Sequence, residues 1–213
     1  MSPRFLHRFF PRALSFELGL GAVALIAAWL LGLDPWRASS SALPGREPMP
    51  WGLQVAWGCG ATVPLLLGLW LLDHYPVGPL RELKQLSTDL LNQLFAPLPL
   101  WQLFVLSAGA GLGEELLFRG VLQGGLERFL PGAGQPLVAW LLASVLFGLC
   151  HWLSATYACL AAMVGGYLGG LYLVTGGLAA PILTHGLYDF IALVYITRDR
   201  PRSGPPGAGG GTT

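Results

Sequence analysis

Charge is scarce in this sequence, and so is cysteine. Only 11% of the 213 residues are Asp, Glu, Lys or Arg, whereas a soluble globular domain carries roughly 25%. The formal net charge is +1 and the basic residues form no dense cluster, which argues against nucleic acid as a partner. Cys59, Cys150 and Cys159 follow no metal-binding spacing. Because all three lie in apolar runs, we expect them to be buried thiols.

Apolar residues are abundant: they make up 54% of the chain and fall into runs separated by Pro, Gly and charged residues. Several runs approach the roughly 20 residues that a helix needs to cross a bilayer core of about 30 Å. The pattern predicts an all-α, polytopic helical transmembrane bundle of about six spans. The predicted spans are residues 13–33, 52–72, 99–118, 137–153, 156–175 and 178–197.

Three regions follow from this pattern. Residues 1–98 are predicted to hold a transmembrane hairpin and an amphipathic helix. The helix is predicted at 80–95, where leucines at helical spacing alternate with charged residues, and it would lie at the membrane interface. Residues 99–197 form the membrane core that carries the intramembrane polar groups. Residues 198–213, rich in Pro, Gly and Ser, are expected to be a disordered tail.

The distribution of basic residues predicts the topology. Six spans leave both termini on one side, which would hold eight Lys and Arg residues against four on the other. The positive-inside rule then places both termini in the cytoplasm, with the cell membrane as the expected location. Gly165, Gly166, Gly169 and Gly170 in the fifth span form small-xxx-small pairs, which favour close helix packing.

Ionisable side chains inside these spans are the main functional signal. Each costs about 2.5 to 3.5 kcal/mol to insert on translocon scales, so such groups face one another or water and mark function. Glu17 lies near the start of the first span, where we expect it to reach the headgroups. The other groups are Glu114, Glu115 and Arg119 at the end of the third span, His151 in the fourth, and His185 and Asp189 in the sixth.

Helical spacing assigns partners within the third span. Glu115 and Arg119 are four residues apart, so they share a face and are expected to form an ion pair. Glu114 is rotated about 100° from Glu115 and is left without a local counter-charge. It is therefore expected to point into the bundle as a base or a metal ligand.

His185 and Asp189 are also four residues apart, so both can face a common point, or Asp189 can orient His185. His151 follows Phe147 by one turn, which places an aromatic wall beside His151. Two histidines and two carboxylates from three helices are the ingredients of a site where a metal activates water. With neutral histidines the cluster carries two uncompensated negative charges, which a divalent cation would cancel. Without a metal, one or more groups should take up protons, and either route supplies a general base.

Three motifs now resemble a known family. The runs Glu-Glu-Leu-Leu-Phe-Arg at 114–119, Phe-Gly-Leu-Cys-His at 147–151 and His-Gly-Leu-Tyr-Asp at 185–189 look like the three signatures of the CAAX prenyl endopeptidase and bacteriocin-processing family. The resemblance covers about residues 99–197. It implies an intramembrane metalloendopeptidase that uses a glutamate and a divalent metal, with Zn²⁺ as the candidate. Its substrates would be peptides or proteins reached through the lipid bilayer, including C-terminal CAAX-like sequences.

The resemblance also implies roles for individual residues. Glu114 would activate the water, and His151 and His185 would bind metal or orient that water. Asp189 stands where family members often have Asn, and would ligate metal or help to hold the oxyanion. The implied metal ligands are thus Glu114, His151, His185 and Asp189. Glu115 and Arg119 would be structural partners or support substrate binding.

Two alternatives to proteolysis stay open. A non-catalytic member of the same fold would act as a membrane scaffold or partner-binding protein and keep the polar cluster for packing. Proton or ion translocation through the carboxylates and histidines would need a polar path to both surfaces, and the sequence offers none beyond the cluster.

Overall fold

The computed structural model describes residues 3–38, 47–132 and 135–198, and this part of the chain is almost entirely helical. The predicted tail from residue 199 onward lies outside the described residues, and Arg198 is the last residue of a helix rather than the first of the tail. The helices are α1 Pro3–Leu31, α2 Trp51–His74, α3 Pro79–Phe95, α4 Leu100–Glu115, a π-helix Leu116–Gln123, α5 Gly124–Phe129, α6 Gln135–Cys150, α7 Ala155–Thr175 and α8 Ala179–Arg198.

Within the described ranges, four helical segments are long and apolar enough to span a membrane: Arg8–Leu31, α2, α7 and α8. A fifth span results if α3 and the helical run Leu100–Phe129 count as one segment, although they are bent by 116°. Helix α6 has 16 residues, or about 24 Å, which is short of the hydrocarbon core. The predicted multi-pass all-α bundle is therefore confirmed, and the count of about six spans is slightly high.

Glycines set how closely the spans approach one another. Helix α4 packs against α8 at Gly111, where a Cβ would stand 2.8 Å from the Ile182 carbonyl oxygen. Helix α2 packs against α8 at Gly58 in the same manner, and α1 lies against α4 at Gly113. The glycines of the predicted fifth span also lie at a helix interface, but they make room for side chains rather than for a neighbouring backbone: a Cβ on Gly165 of α7 would stand 3.2 Å from the Phe147 side chain of α6. These contacts fix the neighbours of the polar motifs.

Helix α3 is amphipathic, as its leucine spacing predicts. Along its apolar stripe, Leu83 packs into the bundle and is buried, whereas Leu86 and Leu90 are exposed on the outside of the bundle. Its Lys84 Nζ lies 2.9 Å from Asp73 Oδ1 at the end of α2. This ion pair ties α3 to the bundle beside the cavity described below.

The cysteine prediction is wrong. Cys59, Cys150 and Cys159 are all free and exposed on the outside of the bundle. The outer face of a transmembrane bundle is as apolar as its interior, so a cysteine within an apolar run occupies either position. Apolar context predicts burial only in a protein that folds in water.

Candidate active site

Glu114 and Glu115 stand at the end of α4, where the chain passes from α-helix into the π-helix. Gly111 and Gly113 precede them and allow α8 and α1 to approach closely at this level. A π-helical turn is rare and occurs frequently at functional sites. The two adjacent carboxylates leave α4 in different directions and enter different surroundings.

Glu115 is at the centre of a fully buried polar network. Arg119 Nη1 donates to Glu115 Oε1 at 2.6 Å, which confirms the predicted ion pair, and the side chains of Glu115 and Arg119 are only 0% and 2% exposed. Arg119 Nη2 also donates to the Gly165 carbonyl oxygen of α7 at 2.8 Å. The guanidinium carbon lies 4.6 Å from the centre of the Phe147 ring, within cation–π range.

His185 joins the same network, which the sequence did not predict. Its Nδ1 lies 2.8 Å from Glu115 Oε1. Glu115 is the partner of Arg119 and accepts here as a carboxylate, so Nδ1 of His185 carries the donated proton. Glu115 thus orients His185 rather than serving only as a structural partner of Arg119.

Glu114 faces His151 on α6. Glu114 Oε2 and His151 Nε2 lie 3.5 Å apart, and the two side chains are 12% and 28% exposed. That distance is too long for a strong hydrogen bond, and among the described residues Glu114 Oε2 has no hydrogen-bond partner. His151 Nδ1 lies 2.8 Å from the Phe147 carbonyl oxygen, which accepts only, so this nitrogen is the donor.

The His185–Asp189 turn repeats this arrangement. His185 Nε2 lies 3.5 Å from Asp189 Oδ2. In both histidines Nδ1 is held by an acceptor and Nε2 is directed toward a carboxylate. The predicted aromatic wall is present as well: the Phe147 and His151 rings stack with centroids 4.4 Å apart.

One cavity of about 580 Å³ joins these groups. Apolar side chains of α2 and α7 form most of its walls, and α3 with Lys84 closes one part of it. Glu115 and Arg119 do not line this cavity, so they support the site from behind. The polar and aromatic lining residues used below are Glu114, His151, Tyr157, His185, Tyr188 and Asp189.

The prediction for Glu17 is corrected by its packing. Its Cβ lies 3.5 Å from the position a Cβ would take on Gly109 of α4, and its Oε2 is buried without a hydrogen-bond partner among the described residues. The Glu17 charge interacts electrostatically with all four cavity groups, Glu114 most strongly. Glu17 is the one charged residue of the predicted span 13–33. A single charge within an apolar span was the feature of the sequence that could have indicated its place beside the polar groups of the bundle.

Two tyrosines were also missed. Tyr157 and Tyr188 line the cavity beside the carboxylates and are half-buried. Each carries a phenolic O–H donor. Tyr157 lies in the first turn of α7, where an interfacial tyrosine is common, so the sequence gave no reason to single it out. Tyr188 lies in the middle of α8 directly before Asp189, and its place in the third motif was the available signal.

The donor chemistry of the site suits a divalent cation, because it has two imidazole Nε2 atoms and two carboxylates. Within the described ranges, however, no group of three or more His, Cys, Asp or Glu side chains is arranged to hold a metal ion. The four predicted ligands form two pairs instead, Glu114 with His151 and His185 with Asp189. The metal therefore stays a prediction, and the chemistry below is derived from the side chains alone.

The long apolar helices indicate an integral, multi-pass membrane protein, and carboxylates and imidazoles line one cavity within it. Residues 96–191 match the family model described as Type II CAAX prenyl endopeptidase Rce1-like. This match confirms the resemblance drawn from the three motifs and supports an intramembrane protease role. No curated protein and no solved structure gave a significant match to the chain.

Proposed function

We propose that the protein is an intramembrane endopeptidase in which Glu114 activates a water molecule for attack on a peptide bond. One observation carries the proposal. Glu114 has a mostly buried carboxylate whose Oε2 lacks a hydrogen-bond partner among the described residues, and it faces His151 Nε2 in a cavity large enough for an extended peptide. A buried carboxylate left without a partner is costly and marks a functional group.

The reaction follows from the acid–base character of these groups. A water bound at the Glu114 carboxylate and at His151 Nε2, on the cavity side of this pair, gives a proton to the carboxylate while its oxygen bonds to the carbonyl carbon of the substrate. The carbonyl π electrons move to the oxygen and form an oxyanion. Glu114 then passes the proton to the amide nitrogen, the C–N bond breaks with its electrons going to nitrogen, and an acid and an amine leave.

The remaining side chains position the reacting groups. His151 accepts from the water through Nε2, because its Nδ1 is occupied by the Phe147 carbonyl oxygen. His185 is fixed from behind by Glu115, and its Nε2 faces the cavity beside Asp189. Tyr157 and Tyr188 supply the O–H donors suited to an oxyanion, a role for which ionised Asp189 carries the wrong charge.

The apolar walls of the cavity suit membrane-associated substrates, whether a C-terminal CAAX-like sequence or another lipid-exposed peptide. If a divalent metal such as Zn²⁺ binds, Glu114, His151, His185 and Asp189 would hold it and it would supply Lewis-acid activation of water. A position in the cell membrane with both termini in the cytoplasm stays part of the proposal.

Comparative peptidomics tests the function. Membranes from cells producing the wild type, Glu114→Gln or Glu82→Gln would be searched for cleavage products, and one cleaved sequence would be resynthesised for kinetics on purified protein. Glu82 is an exposed carboxylate of α3 and is the matched control. We expect Glu114→Gln to lose activity by a factor of about 10² or more, and Glu82→Gln to retain it.

The alternatives have distinct outcomes. Full cleavage by a folded, membrane-inserted Glu114→Gln variant would refute the assignment of the base. A cellular phenotype that is unchanged in Glu114→Gln, with no cleavage product dependent on the wild type, would favour the non-catalytic scaffold instead.

A further inference from the structure

A second apolar groove lies between α2 and α7. It has a volume of about 590 Å³ and is lined by Trp57 and Gly60 of α2 and by Leu171 and Val174 of α7, among other apolar residues. Gly60 has nothing within 4 Å of the position its Cβ would take, so this wall of the groove is open. All four residues belong to segments that can span a membrane, and the groove therefore faces lipid.

The groove is continuous with the active-site cavity. Pro64 of α2 and Tyr167 of α7 line both spaces. At this boundary the Tyr167 hydroxyl donates to the Ala61 carbonyl oxygen at 2.8 Å, which joins the two helices across the gap. A molecule that moves from the groove toward Glu114 must pass this hydrogen bond.

The backbone of α2 indicates which chemistry the groove accepts. Pro64 has no N–H, so it cannot give the Gly60 carbonyl its usual helical hydrogen bond. An acceptor without its helical donor in an apolar groove is costly unless another donor reaches it. A lipid acyl chain has no donor to offer, whereas an extended peptide carries one N–H per residue. The groove thus combines apolar walls with a main-chain acceptor, which suits an apolar peptide.

We propose that the α2–α7 groove binds the extended apolar stretch of a membrane-anchored peptide substrate and guides it past the Tyr167–Ala61 hydrogen bond to Glu114. This inference rests on the proposed peptidase function and adds the route and the class of substrate. A substrate without an anchor reaches the same cavity without using the groove. The two kinds of substrate therefore respond differently when the groove is filled.

The test compares two substrates on one enzyme in phosphatidylcholine liposomes. Both carry the cleaved sequence found by peptidomics, one attached to a 20-residue Leu-Ala transmembrane anchor and one as a short free peptide. Gly60→Trp fills the groove, and Gly52→Trp is the matched control, since Gly52 is also on α2 with open space around it but does not line the groove. We expect Gly60→Trp to lower kcat/KM for the anchored substrate about tenfold or more, and to leave the free peptide unchanged.

Tyr167→Phe supplies an independent variant, because it removes the hydroxyl and keeps the ring. It should raise kcat/KM for the anchored substrate by a larger factor than for the free peptide, because Tyr167 lines both spaces but its hydrogen bond obstructs only the route from the groove. Equal effects of Gly60→Trp on both substrates, or no effect on either, would overturn the groove proposal, and so would an effect of Gly52→Trp equal to that of Gly60→Trp. If the wild type cleaves neither substrate, the peptidase function itself has failed.

Discussion

Replacing Arg119 should be among the most destabilising single substitutions in the protein. Its guanidinium is buried, donates to Glu115 at 2.6 Å and to the Gly165 carbonyl oxygen at 2.8 Å, and contacts Phe147. Arg119→Met keeps much of the apolar volume and removes the charge. Glu115 is then buried with only His185 as its partner.

The loss of stability caused by Arg119→Met distinguishes an ordinary interhelical hydrogen bond from a buried ion pair. An ordinary hydrogen bond between membrane helices contributes on average about 0.6 kcal/mol, whereas removing one partner of a buried ion pair costs about 3–5 kcal/mol. We expect Arg119→Met to lower the free energy of unfolding by the larger amount. The double variant Glu115→Gln/Arg119→Met leaves no uncompensated charge, and Gln still offers an oxygen to His185. It should therefore recover at least half of that loss.

Reversible unfolding by sodium dodecyl sulfate in mixed micelles, followed by circular dichroism, measures these differences. Lys84→Met is the matched control, because the Lys84–Asp73 pair is partly exposed and its loss should cost at most about 1 kcal/mol. A loss below about 1 kcal/mol for Arg119→Met, or strictly additive effects in the double variant, would refute the view that a buried ion pair holds this part of the site.

Three further predictions concern the cavity. Replacing the tyrosine that donates to the oxyanion, by Tyr157→Phe or Tyr188→Phe, should lower kcat on the resynthesised substrate by about 10² to 10³. An unchanged kcat in both variants contradicts that role. Glu17→Gln should lower kcat about tenfold through lost charge interactions without lowering stability, and an unchanged kcat would limit Glu17 to packing. If a metal binds as predicted, elemental analysis will find a divalent ion in the wild type that Glu114→Ala lacks, and removal by a chelator will abolish cleavage; equal metal content in the two proteins contradicts the ligand set.

The helices themselves were largely predictable because apolar length is a direct consequence of the bilayer. The predicted spans 52–72 and 156–175 match α2 and α7 within about two residues. The third predicted span was placed too short, since the helical run continues to Phe129. Arg119 and Glu127 lie in that continuation and are buried. Their charges mimic a span end in the sequence, whereas the fold satisfies them internally.

Site residues were predictable where a partner lies one helical turn away in the same segment. Glu115 with Arg119 and His185 with Asp189 are such cases. The contacts of Glu115 with His185, and of Glu17 with α4, join segments far apart in the chain. Those contacts depend on which glycine faces allow two helices to touch, and on the π-helical turn after Glu115, and local spacing encodes neither.

The contrast between two adjacent carboxylates decides which one is the base. Glu115 has Oε1 shared by Arg119 and His185, is fully buried and lies outside the cavity lining, so it can neither reach a substrate water nor give up its partners cheaply. Oε2 of Glu114 and Oε2 of Glu115 both lack a hydrogen-bond partner among the described residues. Position therefore decides between them, because Glu114 lines the cavity opposite an imidazole nitrogen. Adjacent acidic groups placed in different environments take different chemical roles. Glu115 therefore orients His185, and Glu114 is the residue free to accept a proton from water.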